Sequence, residues 1–300
     1  MKMIQALETH WETHWETQSL ALGKHDFCQL VWHKGEELYR DLPWRNTCDA
    51  YEVLVSEVML QQTQVARVLE RWQRFLRKFP TVDALAAAST ADVVGEWQGM
   101  GYNRRALALK RCADECAARY GGRIPRDYDA LLALPGIGPA TAAGVRAFAY
   151  NAHGVYLETN VRTVFLHELF PGQSNVSDKL IAPLVQECCP ETNVRGWYYA
   201  LLDYGAHLKK TQVNPGRRSK EYVRQSAFEG SRRQKRAEIV RLVLSEPGVP
   251  AAEVFQALNA FEREHGREAV ERDCFEELLV SLQKEGFFTC EPGEERRLVP

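Results

Sequence analysis

Leu134-Pro135-Gly136-Ile137-Gly138-Pro139-Ala140-Thr141-Ala142 reads as a tight turn between two helical stretches. Tyr128 to Leu132 precedes it, and Ala142 to Tyr150 follows it. Two glycines allow positive φ and a close approach of backbone to a ligand. The second helix starts at the turn, so its free N–H groups face whatever sits there, and a phosphate suits that position. Gly136, Gly138 and Thr141 are the expected contacts. The turn alone also fits an ordinary helix corner, and its surroundings decide between the two. Downstream, Glu158 stands just before a helix running through Leu169. A carboxylate at a helix N-terminus is held ionised by the helix dipole.

Upstream, a helix beginning near Ala50 carries Val53, Leu54, Val58, Met59 and Leu60. Glu57 is the carboxylate inside this apolar run. Burial raises a carboxyl pKa, which suits a general acid. Glu57 and Glu158 therefore form a pair with opposite expected environments, the usual way a site divides acid and electrostatic roles. Gln61 to Gln64 is a polar break before a third helix from Val65 to Phe79. An earlier helix spans Asp26 to Arg40 and ends at Leu42-Pro43-Trp44-Arg45. Thr81, and Ser89 or Thr90, are N-caps of short helices. Trp97 to Tyr102 is a glycine-rich corner that opens a long helix from Arg104 to Tyr120. Cys112 and Cys116 lie one turn apart there, as core packing. Further helices are expected at 177–189 and 193–208.

The chain has 300 residues, 45% of them hydrophobic, and a net charge of −2. It can bury a proper core, in one large domain or two to three small ones, and has no overall basic signature. Its eight cysteines form no CxxC pair, which favours a reduced, cytosolic protein. No apolar run approaches the roughly 18 to 20 residues of a membrane span. Charge is local instead. Lys209 to Arg241 holds eleven Lys or Arg against three Glu, a net of +8. At this density, interrupted by Tyr222 and Phe228, the run suits phosphate contact. Lys209, Lys210, Arg232, Arg233, Lys235 and Arg236 are the named candidates.

The two ends differ from the middle. Residues 8 to 17 repeat Glu-Thr-His-Trp, placing His10 and His14 on one helix face. No third metal ligand is in sight, so residues 1–24 read as a loosely ordered extension. The last seventy residues read as helices near 232–245, 251–265 and 272–285. A terminal hairpin around a Glu-Pro-Gly-Glu-Glu turn follows, the pattern of a winged-helix unit over 231–300.

Ser56-Glu57-Val58-Met59-Leu60-Gln61-Gln62-Thr63-Gln64-Val65 closely resembles the catalytic-helix motif of the MutY family of adenine DNA glycosylases. Leu42 to Arg45, Trp97 to Tyr102, the Leu-Pro-Gly-Ile-Gly turn and Glu158-Thr159-Asn160-Val161-Arg162 occur in that family's order and spacing. The match covers about 26 to 208 and is specific for the helix-hairpin-helix DNA glycosylase superfamily, which also holds endonuclease III. The resemblance implies an all-α fold with a glycosylase core over 25–230, made of two helical subdomains with the active site in the cleft between them. It implies flipping of a base into that cleft. Glu57 would protonate the leaving base and position water, and Glu158 would stabilise the cationic sugar. Trp44, Arg45 and Tyr199 would line the base pocket. Gln61 and Gln62 would wedge the gap in the duplex, with Tyr102 and Asn160 also at the DNA.

The departures from the family qualify this. Its acid at 158 is Asp; Glu is one methylene longer, so the role needs the backbone or the substrate to sit about one bond further away. Ala140 stands where endonuclease III-like members carry the Schiff-base Lys and some adenine glycosylases carry Tyr, so no lyase activity is expected. The four cysteines that hold the iron–sulfur cluster are missing, so no cofactor is expected. Tyr199 stands where adenine glycosylases use Gln or Glu, and Asn103 replaces a second Tyr. The oxidised-guanine recognition domain gives way to the winged-helix-like unit. The expectation is a cytoplasmic, nucleoid-associated monomer, a monofunctional DNA N-glycosylase of the base excision type. Its partner would be double-stranded DNA with a lesion or mismatch. The competing expectation is a DNA-binding protein that kept the fold and lost catalysis.

Overall fold

The computed structural model describes residues 14–291 and 296–300. His10 of the tandem repeat and residues 292–295 of the terminal turn lie outside the described residues. The helices are α1 (His14–Thr17), α2 (Lys24–Glu37), α3 (Ala50–Leu60), α4 (Val65–Lys78), α5 (Val82–Ala87), α6 (Thr90–Glu96), α7 (Arg104–Tyr120), α8 (Tyr128–Leu132), α9 (Pro139–Tyr150), α10 (Thr159–Glu168), α11 (Asp178–Cys188), α12 (Val194–Thr211), α13 (Arg232–Ser245), α14 (Ala251–Glu264) and α15 (Arg272–Glu285). Three short strands, β1 (Val249–Pro250), β2 (Thr289–Glu291) and β3 (Arg297–Val299), pair antiparallel in the order β1-β3-β2. None of the described helices is long and apolar enough to cross a membrane.

The chain divides into two compact units, one of residues 1–41 and 146–223 and the other of 42–145 and 224–300. The first is built on α2, α10, α11 and α12. Phe27 and Val31 of α2, Val164 and Phe165 of α10, Leu184 of α11 and Trp197 and Leu201 of α12 are buried together. Small residues set the spacing. Gly35 of α2 lies against Ala200 of α12, where an added Cβ would collide with the alanine methyl. Gly205 of α12 lies against the carbonyl of Asn160 at the start of α10, where a Cβ would collide with backbone. Gly205→Ala is therefore expected to destabilise the protein by about 2 kcal/mol, read as a lower Tm, since backbone cannot step aside as a side chain can. An unchanged Tm would show that this approach is looser than described.

In the second unit α3 is the central element. Tyr51, Val53, Leu54, Val55, Val58 and Met59 are all buried, and the Asp49 side chain caps the helix by accepting the N–H groups of Tyr51 and Glu52. Thr81 and Ser89 cap α5 and α6 as the sequence suggests. Cys112 and Cys116 are buried in α7. Residues 224–300 group with 42–145 instead of standing apart as the sequence suggested. Polar contacts join the two segments: Gln225 and Arg233 both donate to the Tyr102 hydroxyl, and Arg104 meets Glu285 at 3.2 Å. The three helices of this C-terminal segment match their expected spans, and β1 adds a strand that two residues gave no pattern to announce.

Candidate active site

The 134–142 turn joins α8 to α9 as expected, and α9 opens on Pro139, the residue best suited to a first helical position. Only one of its glycines is left-handed. Gly136 has φ 75°, and a Cβ there would lie 2.5 Å from the Ala108 methyl. Gly138 has no positive φ, contrary to the sequence expectation, and the space where its Cβ would stand is open. Both glycines and Ala140 are exposed, while Thr141 is buried. The Gln61 amide donates to the Thr141 hydroxyl at 2.9 Å. The turn that ends the α3 helix is thereby tied to the first turn of α9.

Glu57 lies on α3, one turn before Gln61, and is half-buried. Gln62 follows Gln61 in the left-handed region, φ 54°, and is exposed. Tyr102 has φ 50° at the end of the glycine corner. A non-glycine residue held at positive φ is strained, and such strain persists where the surroundings over-determine it. Here the surroundings are Arg105. Its Nη1 donates to the carbonyls of Val58 (2.8 Å), Met59 (3.0 Å) and Gln61 (2.6 Å). Its Nη2 donates to the Thr63 hydroxyl (2.9 Å) and to the carbonyls of Met100 (3.2 Å) and Gly101 (2.9 Å). One guanidinium thus satisfies the last carbonyls of α3 and joins the Gln61–Gln62 turn to the Tyr102 corner. Burial among carbonyls, with no carboxylate beside it, pushes its pKa down to about 10. Sequence reading missed Arg105, because backbone acceptors leave no signature in a sequence.

Gln61, Gln62, Tyr102, Gln225, Phe228 and Arg233 are among the residues lining a cavity of about 1060 Å³ within this unit. The Arg233 guanidinium lies over the Tyr102 ring at 5.1 Å and the Phe228 ring at 5.9 Å. Trp44 is buried edge-on to Trp72 at 6.2 Å, and Arg45 beside it is buried.

The basic run presents less charge than it contains. Arg236 is bound to Glu285 at 2.6 Å and Lys235 to the fully buried Glu262 at 3.1 Å. Arg232 meets Glu277 at 3.1 Å but stays exposed. Lys235 and Arg236 therefore hold the C-terminal helices together, and a phosphate would have to displace their carboxylates. Arg218 donates to the carbonyls of Leu166 (2.6 Å) and Phe170 (2.5 Å). Lys210, Arg217, Lys220 and Arg224 remain exposed.

In the other unit Glu158 is the N-cap of α10, accepting the N–H groups of Asn160 (2.6 Å) and Val161 (3.1 Å). The sequence suggested a carboxylate kept ionised by the helix end. Burial outweighs that: it pushes the Glu158 carboxyl above the usual range, with Lys209 and the two N–H donors pulling the other way. Asn160 Oδ1 is buried without a hydrogen-bond partner. Tyr199 is buried and stacked on Phe148, ring centroids 4.8 Å apart and planes within 4°.

An iron–sulfur cluster does not fit the residues after α12, since no cysteine occurs between Cys189 and Cys274. That stretch is fastened by other means. Val176 bridges Ser219, Asn214 caps the Pro215–Arg218 turn, Arg218 takes the carbonyls named above and Glu221 accepts the Asp178 N–H. Among the described residues no group of three His, Cys, Asp or Glu could hold a metal ion.

Residues 55–191 match the HhH-GPD superfamily base excision DNA repair protein family. The chain is 41% identical over 182 residues to an adenine DNA glycosylase of Mycolicibacterium smegmatis, covering 59% of this chain and 60% of that one. It is 45% identical over 136 residues to an adenine DNA glycosylase of Mycobacterium tuberculosis, covering 45% and 44%. The chain thus spans about half the length of these relatives. Among solved structures, a thermostable thymine-DNA glycosylase superposes with a TM-score of 0.55 at 25% identity, over 61% of this chain and 86% of that one.

Proposed function

We propose, on the premise that residues 55–191 are a HhH-GPD domain of the base excision DNA repair superfamily, that the chain is a monofunctional DNA N-glycosylase. It flips a damaged or mispaired base out of duplex DNA and hydrolyses its N-glycosidic bond. Adenine is the first base to test, because relatives at 41% and 45% identity carry that name. The observation that carries the reading is the Gln61–Thr141 hydrogen bond. It joins the helix bearing Glu57 to the start of α9, whose exposed Gly136–Gly138 turn suits a phosphate.

In this reading Glu57 gives a proton to the leaving base and orients the attacking water. Glu158 faces the positive charge that develops on the sugar. Gln61, Gln62 and Tyr102 fill the gap in the stack, and flipping costs least at a mispaired base. Trp44, Arg45 and Tyr199 contact the base, and Asn160 contacts the DNA. Lys210 with the exposed Arg217, Lys220 and Arg224 supplies phosphate contact that positions the duplex without reading sequence. Arg232 and Arg233 join them, while Lys235 and Arg236 support the fold. The protein carries no iron, acts as a monomer and works in the cytoplasm at the nucleoid.

The test is incubation with a panel of duplexes holding single lesions or mismatches. Strand breaks are expected only after alkali, and borohydride is expected to trap no protein–DNA adduct, because Ala140 has no amine to form an imine. Breaks without alkali, or a trapped adduct, would refute the monofunctional reading. No base released from any duplex would leave only a DNA-binding role.

A further inference from the structure

The start of α10 gathers more buried polar groups than a helix cap requires. Glu158 accepts two backbone N–H groups, and the neighbouring Asn160 Oδ1 is buried with no partner. Helix α12 passes close to this cap, with Gly205 so near the Asn160 carbonyl that an added Cβ would lie 2.2 Å from its oxygen. Lys209 lies four residues beyond Gly205, on the same face of α12.

The other cations around this cap are committed elsewhere. Arg162 of α10 makes a two-pronged pair with Asp178, both contacts 2.6 Å. Arg40, after α2, is bound to the buried Asp203 of α12 at 2.6 Å. Arg218, in the turn packed on α10, is held by backbone carbonyls. Lys209 is half-buried, and no carboxylate lies within ion-pair distance of its ammonium among the described residues.

We propose that Lys209 is a positioning residue, a cation one helical turn beyond the Gly205–Asn160 contact and outside direct ion-pair reach, whose charge favours the ionised form of Glu158 as it faces the cationic sugar. This rests on the role given to Glu158 above. The electrostatics run in the same sense. Burial pushes the Glu158 carboxyl up and the Lys209 ammonium down, and each charge opposes the other's displacement. Arg40 acts on Lys209 in the opposite sense, as a like charge. Removing the ammonium raises the Glu158 carboxyl further, so the carboxylate is lost at a higher pH as the solution is acidified.

The full chain is tested as Lys209→Met and Lys209→Arg, with Lys209→Gln as a second neutral variant should the first fold poorly. Two readouts are followed. The first is the titration of the Glu158 side-chain carbon by NMR in carboxyl-labelled protein, assigned with Glu158→Gln. The second is the pH profile of single-turnover excision. Loss of the ammonium is expected to move the titration midpoint upward. Excision near pH 6, relative to about pH 8, should then fall about tenfold further than in the wild type. Lys209→Arg should restore both. An unchanged midpoint in the neutral variants would overturn the proposal, and would assign Lys209 to phosphate contact if duplex affinity fell at the same time. If the wild type excised nothing, the role of Glu158 would fail, while the titration would still decide whether Lys209 governs its charge.

Discussion

Glu57→Gln removes base excision, by about a thousandfold or more in single turnover, while affinity for the same duplex stays within about threefold of wild type. The reasoning is differential. A proton delivered to a departing base contributes in the transition state and contributes little to ground-state binding. Glutamine keeps the size and hydrogen-bonding shape of glutamate but cannot donate an acidic proton. Glu57 is half-buried on a helix whose neighbouring side chains are core, so the substitution leaves the packing of Val53, Val58 and Met59 in place. A variant within about threefold of wild-type excision would mean that the acid lies elsewhere.

The second large effect is structural and falls on Arg105. Arg105→Met removes one donor from five carbonyl oxygens and from the Thr63 hydroxyl; Gly101 keeps the Trp97 indole N–H and the Gln61 and Met100 carbonyls share the Thr63 hydroxyl, so the loss falls hardest on the Val58 and Met59 carbonyls. Unsatisfied acceptors in a half-buried site cost far more than the average hydrogen bond, and a loss of about 3 kcal/mol is expected, with a fall in Tm. The Gln61–Gln62 turn and the Tyr102 corner then lose their common anchor, so duplex affinity should fall as well. Arg105→Lys should rescue little. One ammonium has three donors and no fork, and cannot serve two loops at once. Wild-type Tm and affinity in Arg105→Met would show that both loops hold their strained conformations without it.

What was legible in the sequence was local. The apolar run with Glu57 inside it, the Leu-Pro-Gly-Ile-Gly turn and the Glu158 cap each lie within one helix turn of their own signals, and the helices appear where those signals put them. What was not legible depended on distant partners. The net charge of Lys209 to Arg241 is plain in the sequence, but Glu262, Glu277 and Glu285, which pair with Lys235, Arg232 and Arg236, follow far along the chain. The Arg105 acceptors are backbone atoms and have no residue code. Gly138 reads like Gly136, yet only Gly136 needs the left-handed conformation, and this is set by how the turn meets Ala108. The ionisation of Glu158 followed the same rule. A helix end is visible in sequence, and the burial that opposes it is not.

The most direct measurement is mass-spectrometric detection of free base after single-turnover incubation of the full chain with duplexes holding adenine opposite oxidised or normal guanine, extended to other mispairs and lesions. The account predicts intact base released from at least one of these duplexes, in equal amount to alkali-sensitive sites, and none from the same duplexes with Glu57→Gln. A panel that yields no free base, or equal release by the variant, would contradict it.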